Sequence, residues 1–136
     1  MATVLANQAS SGVQPKALRV GIVSVVATYS LNQSLSTGDV IQMLKVPVNA
    51  RIVDMYLSYC SNGQGSLTVG DGVDTDRYIT ATAISSGLTT VVRLNGSSLA
   101  PYTYSADDTV DVTISASAQP SSGAIYLVAT VEYPGP

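Results

Sequence analysis

Thr109-Val110-Asp111-Val112-Thr113-Ile114-Ser115-Ala116 alternates apolar and polar side chains almost without a break. Successive side chains of a pleated strand point to opposite faces. Val110, Val112 and Ile114 therefore share one side, and Asp111, Thr113 and Ser115 the other. This is the pattern of a half-buried strand. Residues 124–133 repeat it, setting Ile125, Leu127, Ala129, Val131 and Tyr133 against Tyr126, Val128, Thr130 and Glu132. Residues 51–59 set Val53, Met55 and Leu57 against Asp54, Tyr56 and Ser58.

Further strands are predicted over residues 18–29, 40–46, 66–69, 77–83 and 88–94. The Ala and Thr content of 77–83 leaves a helical turn as the alternative there. Turn chemistry separates these segments at Ser36-Thr37-Gly38-Asp39, Pro47-Val48-Asn49-Ala50, residues 61–65, Gly70-Asp71-Gly72, and residues 85–87, 95–97 and 119–123. Helical periodicity is nearly absent. The fold expected is all-β, a two-sheet antiparallel β-sandwich or jelly roll of about eight strands. Residues 18–136 form that single domain. Residues 1–17 are small and polar around Val4 and Leu5, and are expected to be a flexible N-terminal arm. Such an arm either frays or lies across a neighbouring subunit.

Composition narrows the function. Of the 136 residues only 11% are charged while 46% are hydrophobic, and the chain has no histidine, one glutamate and one cysteine. Solvated domains carry about a quarter of their residues as charges, so a surface this poor in charge is suited to facing other protein. A chain of this length buries roughly two-thirds of its unfolded surface, enough for a real core. The net charge of −3 and six scattered basic residues (Lys16, Arg19, Lys45, Arg51, Arg77, Arg93) offer no footprint for direct nucleic-acid binding. Cys60 has no partner for an intrachain disulfide and is read as a small buried apolar residue. Neither a signal peptide nor a membrane-spanning run is visible, so no membrane association is expected and assembly in a cytoplasm is.

Catalytic constellations are missing. Without histidine the commonest general base is gone, and no Gly-x-Ser-x-Gly elbow accompanies the 31 serines and threonines. No phosphate-cradling glycine motif occurs. Asp71, Asp74 and Asp76 form the densest acidic group, but their spacing lacks the distal glutamate of a calcium loop. They are read as capping their own backbone, with Gly70 and Gly72 supplying unusual φ values and Arg77 neutralising part of the charge. Asp107, Asp108 and Asp111 form a second acidic patch, in which Asp107 and Asp108 are read as solvated acids of a turn and Asp111 as projecting from the polar face of the strand that follows. No catalytic residue, metal site or cofactor is expected.

All eight aromatics are tyrosines, which combine apolar area with a hydroxyl and are enriched at interfaces. Several must also fill a core that lacks Phe and Trp. Tyr56 and Tyr126 fall on the side opposite the apolar rows. With the Tyr102/Tyr104 loop, and with Val4 and Leu5 of the arm, they make the candidate contact surface.

Two stretches carry a resemblance. Lys45-Val46-Pro47-Val48-Asn49-Ala50-Arg51-Ile52-Val53-Asp54-Met55 carries a Pro-x-Asn-Ala-x-Ile turn into a strand. Leu67-Thr68-Val69-Gly70-Asp71-Gly72-Val73-Asp74-Thr75-Asp76-Arg77-Tyr78-Ile79 carries a Val-Gly-Asp-Gly loop closing on Asp-Arg-aromatic. Together they cover under a third of the chain and resemble small structural proteins of tailed bacteriophages, in particular the jelly-roll cement (decoration) proteins of phage heads. The resemblance implies a virion protein assembled in the host cytoplasm onto the outer surface of the head. Its implied partners are the major capsid protein and a second copy of itself in a homodimer. It gives Pro47, Asn49 and residues 70–77 a fold-setting role and no catalytic one. A receptor- or glycan-binding β-sandwich of a phage tail or fibre is the alternative; an enzyme would require the aspartate loops to converge on a metal.

Overall fold

Nine strands in two facing sheets make up the regular structure of the computed structural model, which describes residues 3–6, 21–60, 65–83, 90–96, 101–116 and 123–133. They are β1 (Thr3–Leu5), β2 (Gly21–Ser30), β3 (Val40–Val46), β4 (Arg51–Cys60), β5 (Ser66–Gly70), β6 (Ile79–Ala83), β7 (Thr90–Arg93), β8 (Asp108–Ala116) and β9 (Ala124–Tyr133). One sheet has the order β1-β3-β8-β5-β6 and the other β2-β9-β4-β7. With β1 set aside, two four-stranded antiparallel sheets remain. In each, a late strand returns between early ones: β8 enters between β3 and β5, β9 between β2 and β4. That wrapping is a jelly roll. Residues 77–83 supply β6 and no helical turn.

The alternation of β8 and β9 sets the core. Val110, Val112 and Ile114 of β8, and Ile125, Leu127, Ala129 and Val131 of β9, have no exposed surface. Ile41, Met43, Leu67 and Val69 line the same layer from β3 and β5. Each fully buried side chain of this size contributes about 1.5–3 kcal/mol through surface removed from water.

The expected phase of β4 is corrected at its start. A register shift between Ile52 and Asp54 adds one residue against β9. A bulge of this kind inverts the alternation across it. Ile52 therefore points inward at 2% exposure while Val53 is only half-buried, and Met55 and Leu57 continue the inward row.

The start of the chain is also held more firmly than its composition suggests. Thr3, Val4 and Leu5 run parallel beside Val40, Ile41 and Gln42, and the Ala6 N–H donates to the Gln42 carbonyl at 2.8 Å. Ala6 is buried and Val4 packs partly against the core. Backbone pairing does the holding, and side-chain patterning carries no trace of it. Residues 7–17 of the expected arm, and the side chains of Leu5 and Cys60, lie outside the described residues.

Candidate interaction surface

The outer face of the β2-β9-β4-β7 sheet is built in rows by strand register. Val26, Val128, Tyr56 and Arg93 stand side by side across all four strands. Tyr126, Ser58 and Val91 form a row on one side, and Ser24, Thr130 and Asp54 a row on the other. Ile22, Glu132 and Arg51 close the far end, where Glu132 accepts an ion-paired hydrogen bond from Arg51 Nε. Arg93 holds its guanidinium over the Tyr56 ring, 5.5 Å from the centroid. Four of the six large exposed hydrophobics among the described residues belong to this face: Ile22, Val26, Val91 and Tyr126. The outer side of the other sheet carries Gln42, Lys45, Thr109, Thr113 and Ser115 instead. Apolar exposure thus concentrates on one side of the sandwich.

Tyr56 and Tyr126 sit on this face as their alternation predicts. Ile22, Val26 and Val91 were not singled out from sequence. In Ile22-Val23-Ser24-Val25-Val26-Ala27 apolar residues occupy both parities, so periodicity cannot say which side meets solvent.

The Pro47–Arg77 motifs meet at a different place. The Asn49 backbone takes φ 70°, a left-handed conformation that Asn tolerates better than most residues. It closes a turn in which Ala50 N–H donates to Pro47 O, at 3.2 Å. Asn49 N–H then donates to the Tyr104 carbonyl and Tyr104 N–H to the Ala50 carbonyl, which docks the loop before β8 against the start of β4.

Asp71 lies at the centre of the second loop, 1% exposed. Its Oδ1 accepts the backbone N–H groups of Val73 and Asp74, at 3.0 and 2.9 Å. Its Oδ2 accepts Arg77 Nε at 2.6 Å and the Tyr104 hydroxyl at 3.0 Å. With that proton committed, the Tyr78 hydroxyl, 2.6 Å away, donates to the Tyr104 oxygen. Burial alone would raise the Asp71 carboxyl; the bonds from Arg77, the two backbone groups and Tyr104 outweigh it and hold the carboxyl below its ordinary value. Burial raises both the Tyr78 and Tyr104 hydroxyls, and each stays protonated as a donor. Arg77 also stacks over the Tyr102 ring at 3.7 Å, and Tyr102 meets Tyr104 edge to face. Both carboxylate oxygens are thereby occupied by protein donors. No group of three or more metal-ligating side chains occurs among the described residues.

Two expectations change here. Tyr104 is not contact surface: at 2% exposure its hydroxyl is needed inside, on Asp71 and Tyr78. Tyr102 beside it remains half-buried. Asp111 stands on the side of β8 opposite Val110 and Val112 and is nevertheless only 7% exposed, because it faces Gly70 in the β5–β8 ladder, where the Asp71 loop begins. Burial raises its carboxyl to about 6, against a hydrogen bond from Thr109 Oγ1 at 2.7 Å. Gly70 and Gly72 supply no left-handed φ; Gly70 is required by crowding, since a Cβ there would lie 2.0 Å from the Asp74 carbonyl oxygen. Tyr78 and Gly96 were missed. A Cβ on Gly96 would lie 1.9 Å from the Arg77 carbonyl oxygen, a contact between loops distant in sequence.

No protein-family model matches the sequence, and no curated protein matches it. Solved structures do. A chain in the capsid of Ralstonia phage GP4 superposes with a TM-score of 0.77 at 18% identity, covering 99% of both chains. A chain in the capsid asymmetric unit of cyanophage Pam1 gives 0.67 at 18% identity over 83% of this chain and 84% of that one. A chain in the acid-stable capsid of Helicobacter pylori bacteriophage KHP30 gives 0.54 at 12% identity, over 81% and 92%. This chain has the fold of chains found in phage capsids.

Proposed function

We propose that this protein is a non-enzymatic structural component of a bacteriophage virion, a decoration (cement) protein on the outer surface of the head. Its partners in this reading are the major capsid protein and a second copy of itself. The observation that carries it is the likeness in fold to a chain of the Ralstonia phage capsid, which extends over 99% of each chain. The charge-poor, hydroxyl-rich surface supports it as well. Covering Ser, Thr and Tyr costs less than covering ions, provided the hydroxyls find partners.

A decoration protein acts by binding the assembled shell and not the free subunits, which shifts the equilibrium toward the shell. Each copy needs only a modest contact, on the order of 1,600 Å², because repetition over a closed shell multiplies its effect. The glycan-binding alternative finds less support. A sugar site would use an open aromatic ring face, whereas guanidinium groups stand over Tyr56 and Tyr102.

Heads prepared without this chain, heated with and without added purified protein, test the proposal. It requires that the protein raise the temperature at which heads release DNA. An unchanged release temperature at saturating protein would overturn it.

A further inference from the structure

We infer that the outer face of the β2-β9-β4-β7 sheet is the self-association surface of this protein, laid face to face against the same face of a second copy. The inference deepens the proposed function and rests on the self-association in that reading, to which it assigns a surface.

The first argument is charge. The face carries two cations and two anions, Arg51 and Arg93 with Asp54 and Glu132. Arg51 is already paired with Glu132, and Arg93 lies over Tyr56. Two copies therefore meet without net like-charge repulsion, and the central row of Val26, Val128 and Tyr56 carries one ion only, Arg93 at its end, held over the Tyr56 ring. A partner bearing a strong charge of either sign would gain nothing from this face. A surface of its own kind, apolar between hydroxyls, matches it, and an isologous contact needs such self-complementarity.

The second argument is area. Three ten-residue strands and one of four, at ~3.4 Å per residue and ~4.8 Å between strands, give a face of about 550 Å². Two such faces together cover about 1,100 Å², just above the ~1,000 Å² that a specific interface needs. Twisted sheets stack in this way about 10 Å apart, with their inner side chains interdigitated.

Sedimentation equilibrium on the full chain reads this directly. The wild-type protein is expected at twice the 14.0 kDa chain mass. Val26→Lys and Val91→Lys, made separately at positions 50% and 54% exposed, should each weaken the dimer at least tenfold while leaving the strand signature in far-UV circular dichroism. Thr113→Lys on the opposite sheet should leave the dimer unchanged. A monomeric wild type overturns the inference, and so does a dimer indifferent to both face variants. The wider reading fails separately: a face-dependent dimer that ignores heads contradicts head decoration and leaves this surface standing. A monomer that saturates heads does the reverse.

Discussion

The Asp71 carboxylate is where single residues matter most, because four donors converge on a group with almost no exposure. Asp71→Asn leaves Arg77 without its counter-charge and is expected to cost about 3 kcal/mol or more. Tyr104→Phe removes one donor and should cost about 1–3 kcal/mol. Urea unfolding of both variants measures this, and losses under 0.5 kcal/mol would contradict the role assigned to Asp71. Asp71 and Asp111 pull the pH dependence in opposite directions. The lowered Asp71 contributes stability above its unfolded value of 3.8 that is lost as pH falls through its lower folded value. The raised Asp111 contributes stability in full below 3.8 that is lost as pH rises through about 6. Asp111→Asn should therefore stabilise the protein above pH 6, by about 3 kcal/mol at most, with the difference vanishing below pH 4. Urea midpoints from pH 3.5 to 8 measure it, and a difference constant across that range would contradict the shift. The Asp71–Arg77 association was readable from sequence, since the two lie six residues apart in one loop. Its extension to Tyr78 and Tyr104 was not, because the contact with Tyr104 spans 33 residues.

At the scale of elements, alternation reports which side of a strand is buried and says little about what else lies against it. Residues 109–116 and 124–133 showed their inward rows plainly, and the bounds of β3 and β9 agree with those read from the sequence. The bulge in β4 escaped, because an inserted residue is visible only against its partner strand. β1 escaped for a similar reason: three residues carry no period, and the ladder to β3 supplies the order. Removing residues 1–13 should leave a cooperatively folded sandwich and reduce the protein's occupancy on heads. Calorimetry with head binding checks both parts, and unchanged occupancy would remove any role for the arm in assembly. The Asp71 loop offers a paired test. Gly70→Ala places a Cβ 2.0 Å from backbone and should cost several kcal/mol, whereas Gly72→Ala, whose nearest atom is Asp108 Oδ1 at 3.6 Å, should cost under ~1 kcal/mol. Thermal unfolding separates the two, and equal losses would contradict the loop geometry.

For the whole molecule, fold class was legible and strand order was not. Period-two segments divided by Gly, Asn and Pro turns indicate a sandwich, but they are silent on which strands become neighbours. The placement of β8 and β9 between earlier strands is a long-range choice made by packing. The apolar outer face was half legible for the same reason: Tyr56 and Tyr126 stood out against apolar rows, while Ile22, Val26 and Val91 became visible only once the sheet was assembled. The chain has the fold of chains found in phage capsids and gathers most of its large exposed apolar side chains, among the described residues, on one outer face; the proposed head decoration rests on these two features. The most direct test is co-sedimentation of the purified chain with intact heads of its own virus, counting copies per particle. The account predicts saturable binding at a fixed ratio to the major shell subunit. Binding confined to a handful of copies on tails, or no binding at saturating concentration, would contradict it.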